Sequence, residues 1–239
     1  MDLGSAAIRP ATPSASSPRT GGSSLDLGSG SAALANAPFK PTPRALAAYQ
    51  PPRVKAAQAL VLRPKAPTVT LTPVQSGIGA LVIEAACSPA VGDLRLGVAY
   101  QLTDGTTSLV QRASDIAAAP PGSRRPMILA QRQQFEKVTL DLRQVRSLQR
   151  CLIYAYSDSG GPLNWGGTLV ATTFGQARIE LPLDRPPSPV IAVLLSIYQV
   201  DGELVIRAEN EDVAGTVRDA VVAYGYDRIT WLDPRTPLV

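Results

Sequence analysis

The sequence predicts an all-β fold: a two-layer β-sandwich with a C-terminal helix, preceded by a disordered Pro/Ser/Ala-rich N-terminal arm. Three observations predict it. About ten short runs of β-branched or alternating residues follow one another after residue 67, each bounded by turn residues. A clear helical period comes late, at Thr216–Tyr224. Residues 1–64 carry too few large apolar side chains to offset the entropy of ordering them. The division that follows is an arm or linker over 1–64 and a sandwich domain over 65–239.

The arm is rich in Ser, Ala, Gly and Pro, and PFKPTPRALAAYQPP at 38–52 favours extended, polyproline-like backbone. Its P-x-x-P spacing, Pro38 to Pro41, reads as a semi-rigid linker in preference to a docking peptide. DLGS occurs at Asp2–Ser5 and again at Asp26–Ser29, too short to be a structural repeat. The prolines and Asp2 oppose the amphipathic helix of a transit peptide. Seven basic residues stand against two acidic ones in 1–64, a net +5, so the other residues carry −1 of the chain's +4. That near-neutral domain offers no electrostatic footprint for nucleic acid.

From about Val54 the chain changes character. VKAAQALVL at 54–62 suits one short helix or a strand leading into a sheet. Strands are predicted at 68–71, 80–86, 94–102, 108–111, 137–142, 148–156, 168–173, 177–181, 190–198 and 203–208. Hairpin tips fall at Thr103-Asp104-Gly105-Thr106, Phe174-Gly175-Gln176 and Val200-Asp201-Gly202-Glu203, and the two Asp-Gly pairs suit type I′ turns. In the helix, Val217, Ala220, Val221 and Tyr224 recur at i, i+3, i+4, i+7, with Gly225 as the stop.

Composition excludes whole classes of chemistry. With no histidine in 239 residues, Ser–His–Asp and Cys–His catalysis and His-ligated metals are out. Two cysteines, Cys87 and Cys151, cannot make a four-thiolate zinc site or a disulfide-dense fold. Both border hydrophobic strands, with no neighbouring Lys to lower a thiol pKa, and read as buried apolar residues. No apolar run is long enough to span a bilayer, and the start lacks a signal-peptide core. The expected location is cytoplasmic.

Several segments carry a resemblance, in order along the chain. DLRLGVAYQLTDGTTSLVQ at 93–111 resembles the DLDLG-x-x-Y-x-L-x-DG-x-x-x-x-VQ hairpin of the tellurium-resistance, TerD-type stress-protein family. PMIL at 126–129 resembles its next strand, P-x-I-x-L, with Ala130 in place of the Leu. LIYAYSDSGGPLNW at 152–165 is similar to its strand and loop ending in G-x-P-N-W. The 190–207 hairpin and DAVVAYGYDRITW at 219–231 are similar to its closing hairpin, helix and tail. The resemblance covers roughly residues 67–233. It implies a two-sheet sandwich that binds calcium through acidic loops, without known catalysis.

The departures from that pattern bear on function. Calcium takes about six to eight oxygen ligands, several of them carboxylates. The family's acidic loop is here Ala130-Gln131-Arg132-Gln133-Gln134, and the second Asp of its DLDL motif is Arg95. Asp93, Asp115 and Asp158 are the acids left as remnant metal candidates, and they cannot complete a calcium shell without several backbone oxygens or waters. No metal site and no cofactor are therefore expected. Arg95 and Arg132 are expected to substitute fixed charge for the ion by pairing with Asp93, Asp115 or Asp158.

Other residues have bland readings. Asp93 and Asp104 suit turns, and Trp165 suits a packing anchor for the Ser157–Trp165 loop. Glu209, Glu211 and Asp212 suit compensation of the helix N-terminus. Arg124, Arg125, Arg143, Arg146 and Arg150 suit solvated loop and edge charges. The function these readings favour is a non-catalytic stress-response binding or scaffold module with a degenerate calcium site. Its expected partner is a protein, reached through the N-terminal arm. The alternatives are a calcium-binding protein with a residual site, and a small-ligand enzyme using a carboxylate pair.

Overall fold

A computed structural model describes residues 50–188 and 191–238. The reading of the arm over residues 1–49 lies outside the described residues. In chain order the strands are β1 (Arg53–Val54), β2 (Ala59–Val61), β3 (Thr68–Leu71), β4 (Ala80–Ala86), β5 (Leu94–Leu102), β6 (Thr107–Gln111), β7 (Ala118–Ala119), β8 (Ile128–Arg132), β9 (Glu136–Asp141), β10 (Leu148–Ser157), β11 (Thr168–Thr172), β12 (Arg178–Pro182), β13 (Ile191–Val200) and β14 (Glu203–Val213). The helices are α1 (Pro73–Gly77) and α2 (Val217–Ala223). Two seven-stranded sheets face each other, in the orders β1-β3-β14-β13-β10-β5-β6 and β2-β12-β11-β4-β9-β8-β7. All pairings are antiparallel except β1 with β3 and β2 with β12.

Side-chain alternation explains which residues fill the gap between the sheets. In β4, Leu81, Ile83 and Ala85 are buried while Ala80, Val82, Glu84 and Ala86 are half-buried on the outer face. β10 and β13 read instead as continuous apolar runs, because both of their faces are covered. Cys151, Ile153 and Ala155 point into the main core. Leu152, Tyr154 and Tyr156 point the other way, into a second core closed by Val217, Ala220 and Val221 of α2 with Tyr226 and Ile229. The helix starts on a capping box. Thr216 N donates to Asp219 Oδ2 at 2.8 Å, and Asp219 N donates to Thr216 Oγ1 at 3.3 Å.

Several details differ from the sequence reading. The 54–62 segment, which suited a short helix or an entry strand, is strand: it holds the end of β1 and all of β2, joining one edge of each sheet, with Val54 and Leu62 buried. Sandwich strands thus begin ahead of the 64/65 boundary. Helix α1 was not predicted, although Thr72-Pro73-Val74-Gln75 spells a capping box with proline at the first turn. Of the two Asp-Gly turns, Asp201 (φ 50°) and Gly202 (φ 82°) suit type I′. At the other only Gly105 has positive φ, 88°, and its N–H donates to Leu102 O at 3.0 Å. That hairpin is a three-residue loop with Gly in the left-handed position, reinforced by Thr106 N donating to Asp104 Oδ1 at 2.9 Å. Finally β14 runs on to Val213, so Glu209, Glu211 and Asp212 are strand residues. They do not cap the helix. Glu209 pairs with Arg207, Glu211 accepts from Tyr224 Oη, Asp212 pairs with Arg185, and Asp219 does the capping.

Candidate functional site

Strand β6 stops opposite Gly97, and the chain turns away through Arg112–Ser114. The Leu96 N–H, one residue beyond that ladder, is met by a carboxylate: it donates to Glu136 Oε2 at 3.4 Å. Glu136 opens β9 on its inward-facing register with Val138 and Leu140, so the pleat aims its side chain between the sheets. The side chain is 4% exposed.

Around Glu136 Oε1 stand three guanidinium groups from three segments. Arg95 of β5 places Nη1 at 3.4 Å, Arg112 of the turn after β6 at 3.5 Å, and Arg132 at the end of β8 at 3.7 Å. Arg95 also donates from Nε to Asp158 Oδ2 at 3.3 Å, tying the loop after β10 to β5. Burial pushes the Glu136 carboxyl upward, and the Leu96 amide, Arg95 and Arg112 oppose it. Tyr156 lies beside this group, and burial with the negative charge of Asp158 and Glu136 raises its phenol.

Asp93 does separate work. Its Oδ1 accepts from Ser157 Oγ at 2.6 Å and its Oδ2 from Ser159 N at 2.5 Å, so it pins the start of the Ser157–Trp165 loop. The Ser157 hydroxyl, then Ser159, hold its carboxyl at about 2. Asp115 caps the Arg112–Ser114 turn in a left-handed conformation (φ 58°), and its carboxylate has no ion pair among the described residues.

Of the residues singled out from sequence, Arg95, Arg132 and Asp158 converge, while Asp93 lies one loop contact away and Asp115 stands apart. Arg132 meets Glu136 and none of the three aspartates. Glu136 and Arg112 were missed. Glu136 lies just past the Ala130–Gln134 stretch, and its signal is an acid on the otherwise apolar register of Val138 and Leu140 in FEKVTL. Arg112 carries no signal, because only the turn after β6 aims it.

Nearby residues are structural. Cys87 and Cys151 are free and buried, and burial raises both thiols, Cys151 to about 12. Trp165 packs on the main core, with the Arg185 guanidinium 5.1 Å from its ring. Arg150 is not a solvated edge charge. It donates to Gln101 Oε1 at 2.8 Å and to the Tyr224 and Gly225 carbonyls, and stacks 4.4 Å over Tyr226. Among the described residues, no three His, Cys, Asp or Glu side chains gather as a metal shell, and no helix is long and apolar enough to cross a membrane.

No protein-family model matches the sequence, and no curated protein matches it significantly.

Proposed function

We propose that this chain is a non-catalytic binding or scaffold module of the TerD-like stress-protein kind, in which guanidinium groups stand where the resembled family holds calcium. One observation carries the reading: Arg95, Arg112 and Arg132 surround Glu136, with Arg95 bridging to Asp158. The residues present do not suit calcium. A cation would need several free carboxylate oxygens, and here it would meet three fixed positive charges around the one buried acid. The same contacts speak against an acid–base pair: Glu136 lines a cavity of about 160 Å³, but it and Asp158 are both engaged by Arg95. The domain's role on this reading is to present surfaces, with the basic Pro-rich arm as the segment that reaches a protein partner.

Calorimetric titration of the full chain with Ca²⁺ tests it. The expected result is no heat of binding up to millimolar calcium. A dissociation constant in the micromolar range would overturn the pseudo-site reading.

A further inference from the structure

At the end holding Glu136, Arg95, Arg112, Arg132 and Arg185 are engaged by acids, while Arg63, Lys65 and Arg235 have no ion pair among the described residues. At the other end, turns from both sheets lie side by side. Leu204 N donates to Ser76 Oγ at 2.9 Å, Leu142 N to Gly79 O at 3.0 Å, Ala57 N to Gly175 O at 2.9 Å, and Gln144 Nε2 to Arg125 O at 3.2 Å. There Lys55, Arg124, Arg125 and Arg146 are exposed, with no ion-pair partner among the described residues. Of the acids at the same end, Asp141 and Glu203 are paired with Arg143 and Arg53, while Asp104 and Asp201, at two hairpin tips, are exposed with no ion pair among the described residues, so the unpaired cations outnumber the unpaired acids there.

The same end exposes apolar side chains. Val74 is 66% exposed, Ile78 49%, Phe174 70% and Val200 48%. They belong to three separate turns: α1 with the residue after it, the β11–β12 hairpin and the β13–β14 hairpin. The clefts between them, of about 510 and 430 Å³, are flanked by Arg125, Arg143 and Arg146.

We propose that this end of the sandwich docks on an anionic lipid surface. Apolar side chains exposed on three separate turns suit a fluid layer that closes around each turn. A collar of unpaired cations suits the uniform negative charge of phosphate and carboxylate headgroups, each worth about 1 kcal/mol near such a surface, or about fivefold in binding. The tips of Phe174, Val74, Ile78 and Val200 enter the boundary between headgroups and acyl chains, and the long arginine stems let their guanidinium groups stay at headgroup level. This surface is independent of the Glu136 cluster.

Co-sedimentation of the full chain with phosphatidylcholine vesicles, with and without about 30% phosphatidylserine, tests the proposal. Binding to the anionic vesicles alone is expected, and it weakens between about 50 and 500 mM salt. The double variant Arg125→Glu/Arg146→Glu loses at least about tenfold in binding, as does Phe174→Ser, each with an unchanged circular dichroism spectrum. If Phe174→Ser unfolds, the arginine variant alone decides. Absence of vesicle binding, equal binding to neutral vesicles, or binding indifferent to these substitutions would overturn the proposal. So would capture of a soluble polyglutamate peptide without vesicle binding.

Discussion

Glu136 illustrates how a buried charge is tolerated and what it costs. Removing a carboxylate from water costs several kcal/mol, and three surrounding guanidinium groups reduce that cost without turning it into a surplus. Because burial raises its carboxyl, the folded chain binds a proton there more tightly than the unfolded chain does. By linkage, the stability contributed there is fully present below the ordinary Glu value and is lost as pH rises through the raised one. Glu136→Gln is therefore expected to flatten the dependence of melting temperature on pH just above the ordinary carboxylate range. Arg95→Ala should destabilise by about 1–3 kcal/mol at neutral pH, and less at acidic pH where Glu136, its carboxyl raised by burial, is protonated, measured by urea unfolding at both pH values. Asp93 has the opposite sign. Its folded value of about 2 lies below the usual 3.8, so its contribution is present above that and is lost as pH falls toward 2. Asp93→Asn should remove that part of the acid transition.

At the scale of elements, the second core depends on one absent side chain. A Cβ on Gly97 would lie 2.2 Å from Tyr154 Cζ, so glycine is what lets the Tyr154 ring lie across β5 and donate to Gln111 Oε1 at 2.8 Å. Gly97→Ala is expected to cost about 1–3 kcal/mol or more by overpacking, read as a fall in denaturation midpoint. Arg150 holds the turn that ends α2 by donating to the Tyr224 and Gly225 carbonyls, and Arg150→Ala should lower amide protection across 217–226 more than elsewhere. Most strands were legible in the sequence because alternation has a period of two and turn residues bound it. β3, β4 and β5 match their predicted limits at both ends. Elements resting on pairing across the fold were not legible. β2 has only three residues and exists because β12 offers it a parallel edge, and β7 has two residues held by β8. The Asp104–Gly105 turn type was hidden for a related reason: the Gly fixes a left-handed position, but loop length decides which turn contains it.

For the whole molecule, the two-layer architecture follows from the strand pattern, while the site depends on contacts between segments far apart in the chain. Arg95 and Asp158 were visible as a charge substitution and a loop acid. Their convergence with Glu136 and Arg112 needed the seam between β5 and β9, which no local pattern encodes. The central claim is that fixed guanidinium charge, with no ion, orders the loops at this end of the sandwich. Amide hydrogen exchange of segments 93–96 and 157–161 tests it most directly, in EDTA, in millimolar Ca²⁺, and in Arg95→Ala. The account predicts protection in EDTA that calcium leaves unchanged and that Arg95→Ala diminishes. Segments unprotected in EDTA that gain protection when calcium is added would contradict it.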